Sequence, residues 1–92
     1  MESYLVEHYW PGVTVEQFQA ATGRVHASAL EMERGGAAIR LAHSTLVPED
    51  HAAYCVFDAA SGTLVEEAYA RAGVRFERLV TAFAVPIDEA RG

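Results

Sequence analysis

Residues 38–58 read Ala-Ile-Arg-Leu-Ala-His-Ser-Thr-Leu-Val-Pro-Glu-Asp-His-Ala-Ala-Tyr-Cys-Val-Phe-Asp, and this stretch decides the fold. It holds two strand-like runs, Ala38 to Leu46 and Ala52 to Asp58. Val47-Pro48-Glu49-Asp50-His51 separates them, a turn segment of the length that joins hairpin strands. The middle of the chain is therefore a β-hairpin, and its flanks set the topology.

Upstream, Gly35-Gly36 ends a helix, because glycine takes the left-handed conformation at little cost. That helix opens at Thr14, with Gln17 three residues on in the spacing of a capping box. Phe18, Thr22, Val25, Ala29 and Met32 follow at helical spacing and form the stripe expected to face a core. Before the helix, residues 4–9 (Tyr-Leu-Val-Glu-His-Tyr) read as a strand stopped at Pro11-Gly12. Downstream, Thr63 with Glu66 repeats the capping-box spacing, and that helix runs through Ala68 and Ala72 to Gly73. Phe76 to Val85 is the last strand, closed by Pro86. The order βαββαβ is the split βαβ arrangement, an α+β ferredoxin-like sandwich with strand order 4-1-3-2. Residues 1–92 read as one such domain, with no internal linker or low-complexity segment.

Both helices of this topology cover one face of the sheet. On the first strand Tyr4, Val6 and His8 alternate with Leu5, Glu7 and Tyr9. On the last, Val80, Ala82 and Ala84 alternate with Leu79, Thr81, Phe83 and Val85. Both sets are largely apolar, which a solvated face would not be. The expected arrangement is a homodimer with two sheets face to face, a dimeric α/β barrel.

Composition narrows the class of function. The chain has 92 residues, 51% hydrophobic and 22% charged, as a folded protein does. No apolar run approaches the roughly 20 residues of a membrane span, and Met1-Glu2-Ser3-Tyr4 lacks the basic start of an export signal. One cysteine, Cys55, forms no internal disulfide, which suits the cytoplasm. The net charge is -6 and all seven basic residues are arginine. An acidic chain without a basic run is ill suited to nucleic acid. Without a glycine-rich phosphate loop, no nucleotide cofactor is indicated.

Three segments carry a resemblance. Tyr4-Leu5-Val6-Glu7, Tyr54-Cys55-Val56-Phe57-Asp58-Ala59 and Glu67-Ala68-Tyr69-Ala70-Arg71-Ala72-Gly73 resemble, in order, a family of small bacterial proteins. This is the domain of unknown function 4242 group, whose members are commonly labelled nickel-binding. The resemblance runs over nearly the whole chain. It implies a ferredoxin-like fold, a homodimer, and binding of nickel(II) or a similar divalent transition metal by histidine and carboxylate side chains. Glu7, Cys55, Asp58, Glu67 and Gly73 match the family pattern. Ala68 stands where the family has a histidine, and Pro48-Glu49-Asp50-His51 replaces a basic, glycine-containing turn.

Among single residues, Glu7 stands out, because a carboxylate on a central strand is partly buried, which disfavours its charge unless it has a partner. It can act as general acid or base, or ligate a metal; the bland reading is an ion pair with Arg40 or Arg78. Four histidines, His8, His26, His43 and His51, show no His-x-His or His-Glu-x-x-His spacing. A site must therefore combine different elements or both subunits. His43 and His51 can approach across the hairpin beside Glu49 and Asp50, so the metal set is Glu7, His8, His43 and His51. His26 reads as a surface residue. Tyr9, Trp10 and Tyr54 suit stacking on a planar ligand or plain packing, and Cys55 reads as a small hydrophobe. Glu66-Glu67 and Asp88-Glu89 read as solvated surface.

The leading expectation is a cytoplasmic homodimer that binds and sequesters nickel. The alternative is a cofactor-free isomerase, cyclase or monooxygenase acting on a small hydrophobic molecule. There Glu7 is the acid/base, Tyr9 and Tyr54 assist, and a pocket of several hundred Å3 is required, by fold analogy.

Overall fold

The central hairpin forms, each strand ending one residue beyond its expected end. A computed structural model of the chain describes residues 1–87. Its elements are β1 (Glu2–Tyr9), α1 (Val15–Arg34), β2 (Ile39–Val47), a 3-10 turn (Pro48–Asp50), β3 (Ala52–Ala59), α2 (Gly62–Ala72) and β4 (Arg78–Ala82). They make a four-stranded sheet of order β2-β3-β1-β4, every neighbouring pair antiparallel. This is the ferredoxin-like α+β fold expected, with β1 and β3 central. Asp88-Glu89 lies outside the described residues.

The helix-covered face holds the core. Tyr4 and Val6 of β1, Cys55 and Phe57 of β3, and Ile39 of β2 pack with Phe18, Val25, Ala29 and Met32 of α1 and Val65, Ala68 and Tyr69 of α2. Strand alternation puts Leu5, Glu7 and Tyr9 on the opposite face, as expected. Ala68 has no exposure, so the position where the related family carries histidine points into the core here.

Three local expectations are corrected. The α1 stripe uses Ala21, not Thr22. Thr22 lies half-buried at its margin, and its hydroxyl donates to the Phe18 carbonyl at 3.0 Å. The second capping box does not form, because α2 starts at Gly62 with Ser61 as N-cap, which places Thr63 inside the first turn. Gly62 suits that start: a Cβ there would stand 3.3 Å from Leu79 and 3.5 Å from the Tyr4 ring. The last strand spans only Arg78–Ala82, paired with β1 from Glu7 back to Ser3. Phe83 and Val85 therefore stand outside the ladder and are exposed. Phe76 instead turns inward onto Tyr69, ring centroids 5.1 Å apart.

One irregularity matters for the site. Between Leu41 and His43 the β2–β3 register shifts, as at a β-bulge. Ile39 and Leu41 pair with the inward residues Ala59 and Phe57, whereas His43 pairs with Val56, which points outward. Without the extra residue, alternation would send His43 into the core.

Candidate functional site

The face away from the helices is built in rows across the sheet. Arg40, Asp58, Ser3 and Ala82 form the first; His43, Val56, Leu5 and Val80 the second; Thr45, Tyr54, Glu7 and Arg78 the third. The first row is tied together by polar contacts. Arg40 donates to one Asp58 carboxylate oxygen, and the Ser3 hydroxyl donates to the other at 2.9 Å. These bonds hold the Asp58 carboxyl below its ordinary range, with the Arg40 bond the larger cause. The second row is apolar apart from His43, and its three apolar residues are half-buried, with no described helix or strand over them. In the third, Arg78 donates to Glu7 at 3.2 Å. The arginine partner of the bland reading is thus present, yet Glu7 keeps a third of its side chain exposed.

The expected residues divide between places. Glu7, Tyr9, Tyr54 and His43 share the outer face. His51 caps the turn at its end, in the left-handed conformation (φ 53°), with its ring edge-on to Tyr9 at 6.3 Å. His8, next to Glu7 in sequence, points the other way. Its Nδ1–H donates to the Arg75 carbonyl at 3.1 Å, which fixes the tautomer, so Nε2 accepts from the Tyr69 hydroxyl at 3.0 Å. Burial pushes the imidazole pKa down and keeps the ring neutral, outweighing the Arg75 bond and the Glu77 charge, which act the other way. Burial likewise pushes the Tyr69 hydroxyl upward.

A cleft of about 460 Å3 opens beside His8, lined also by Trp10, Arg24, Arg75 and Glu77. Tyr9 reaches it, but Glu7 and Tyr54 do not, so the three residues of the enzymatic reading do not share a cavity. Arg24, Arg75 and Glu77 are absent from the residues that sequence reasoning singles out. The only signal is the order Arg75-Phe76-Glu77, which turns two charges outward around an inward ring.

An α+β sandwich with side-chain donors on its uncovered sheet face defines the class: a small ferredoxin-like protein whose helices guard one face only. The chain belongs to the family described as nickel responsive protein SCO4226-like, whose model matches residues 4–81. It is also similar to the crystal structure of SCO4226 from Streptomyces coelicolor A3(2). The two share 21% identity and a TM-score of 0.67, over 94% of this chain and 98% of that one. At that identity the likeness establishes the fold. No curated protein matches the chain. The match carries the nickel-responsive description rather than the 4242 name, and agrees with the kind of family that the sequence resembles.

Imidazole and carboxylate donors suit nickel(II) chemically. Yet among the described residues no three His, Cys, Asp or Glu side chains cluster closely enough to hold a metal ion. His8 has both ring nitrogens engaged, and Glu7 and His43 stand on strands separated by β3. Among the described residues the donors of one chain do not close a coordination sphere. Among the described residues no helix is long and apolar enough to cross a membrane.

Proposed function

We propose that the protein is a nickel-binding homodimer that sequesters the metal in the cytoplasm, with Glu7 and His43 on the outer sheet face and His51 at its rim as donors. The observation that carries this reading is the β2 bulge, which turns His43 out of the core onto the face that bears Glu7. Around them Leu5, Val56 and Val80 are half-buried with no described element over them, a surface suited to a second sheet. Sheets packed face to face lie about 10 Å apart, a gap that side chains from both copies bridge. A second copy then supplies the donors that one chain lacks. Phe83, Val85 and Ile87, each at least 80% exposed, extend the apolar surface available to that partner. His8 is left out, since its nitrogens hold internal bonds. Arg78 competes with the metal for Glu7 and leaves it on binding.

Family membership supports the metal and the fold supports the pairing. The test is elemental analysis after incubation with nickel and removal of excess, with light scattering for mass. The expected result is stoichiometric nickel on a particle of about 20 kDa, two copies of a 10.0 kDa chain. Glu7→Gln and His43→Ala each lower retention at least tenfold, as loss of a ligand does. A metal-free protein, or retention untouched by either substitution, overturns the proposal.

A further inference from the structure

We infer that the cleft beside His8 binds a small aromatic carboxylate, with the anionic group on Arg24 and Arg75 and the ring against Trp10. The inference is independent of the metal reading, because the cleft opens on the helix side of the sheet and shares neither Glu7 nor His43 with it.

The distribution of arginines is the first observation. The six arginines within the described residues divide evenly. Arg40, Arg71 and Arg78 are paired with carboxylates, whereas Arg24, Arg34 and Arg75 have no carboxylate partner among the described residues. Arg34 closes the last turn of α1, where a cation complements the helix dipole. The other two line one cleft, Arg24 from α1 and Arg75 from the α2–β4 connection. In a chain of net charge -6, two guanidinium groups on one cavity, neither paired with a described carboxylate, form a local site for an anion. Glu77 on the same wall is partly committed, since its Oε1 accepts the Tyr9 N–H at 2.7 Å. Two guanidinium groups against one carboxylate on the lining favour an anionic ligand and disfavour a metal ion.

Shape supplies the second. About 460 Å3 falls within the usual range of small-molecule sites. Ala21 and Gly73 keep the walls low, and Gly73 sits at φ 68°, a conformation that resists a larger residue. Trp10 is half-buried and offers an aromatic face at the mouth. The floor is rigid: the His8 bond to the Arg75 carbonyl ties the arginine-bearing segment to β1, so less ordering is needed on binding.

Trp10 is the only tryptophan, so its fluorescence reports this cleft alone. Benzoate is titrated into the full chain in metal-free buffer, with benzamide as the uncharged isostere. A saturable change with benzoate is expected, at least about tenfold weaker with benzamide. Arg24→Gln and Arg75→Gln, both at exposed positions, each weaken benzoate by about tenfold or more, and Arg34→Gln leaves it unchanged. Circular dichroism checks that the variants are folded. No saturable change up to about 10 mM benzoate, equal response to benzamide, or wild-type affinity in both cleft variants overturns the inference.

Discussion

An imidazole taken out of water must satisfy both ring nitrogens, and His8 does so with the Arg75 carbonyl and the Tyr69 hydroxyl. Burial lowers its pKa in the folded state from the ordinary 6.5. The sign follows from linkage. Above 6.5 both states hold a neutral ring; as pH falls through 6.5 the unfolded chain takes up a proton that the folded chain refuses. Stability is therefore present at neutral pH and declines on acidification, until pH reaches the lowered folded value. Asp58 acts in the same direction at lower pH, because its folded pKa lies below the ordinary 3.8. Thermal melts should show the midpoint falling from pH 7 toward pH 5. His8→Gln, which keeps hydrogen-bonding groups but does not titrate, should flatten that fall. The variant should lose about 1–2 kcal/mol at pH 7 from imperfect replacement of the two bonds. An unchanged pH slope in the variant would assign the acid sensitivity elsewhere.

At the scale of elements, the two helices start by different means. Thr14 accepts from the Gln17 backbone N–H at 3.0 Å, and the Gln17 side chain accepts from the Thr14 N–H at 2.9 Å. Ser61, at the start of α2, makes no side-chain cap bond. Thr14→Ala should thus cost about 1 kcal/mol, whereas Ser61→Ala and Thr63→Ala should each stay within about 0.5 kcal/mol of wild type. Urea unfolding with a shared slope measures all three. The threonine version of this capping spacing occurs twice in the sequence, at Thr14 and Thr63, and forms once. Spacing states only which bonds are possible; the close seating of Gly62 on Tyr4 and Leu79 selects where α2 begins.

For the whole molecule, the uncovered sheet face governs packing. Each chain leaves Leu5, Tyr54, Val56 and Val80 half-buried on a face that also carries the Arg40–Asp58 and Arg78–Glu7 pairs. A charge introduced in its middle remains solvated in a single chain but becomes desolvated and unpaired between two sheets. On the proposed pairing, Val56→Arg should therefore convert a particle of about 20 kDa into one of about 10 kDa, with an unchanged circular dichroism spectrum. Light scattering decides, and a variant of undiminished mass would overturn pairing through this face.

Sequence by itself determined the order of elements, the division of β1 into Tyr4, Val6 and His8 against Leu5, Glu7 and Tyr9, and the ferredoxin-like topology, while the structure decided that the first set faces the core. The former rest on local signals, alternation at period two and helical spacing, which neighbouring residues carry among themselves. It also marked Glu7 as a carboxylate in need of a partner and named Arg78 among two choices. Tertiary structure alone decided that Arg78 and not Arg40 is that partner, since Arg40 is held by Asp58 across the β2–β3 pair. It alone turned His43 outward, because a single-residue bulge inverts a strand's alternation while leaving little trace in composition. It alone gathered Arg24, Arg75 and Trp10 around one cleft. These residues lie on separate elements, and only the packing of α1 and the α2–β4 connection against the end of β1 brings them together.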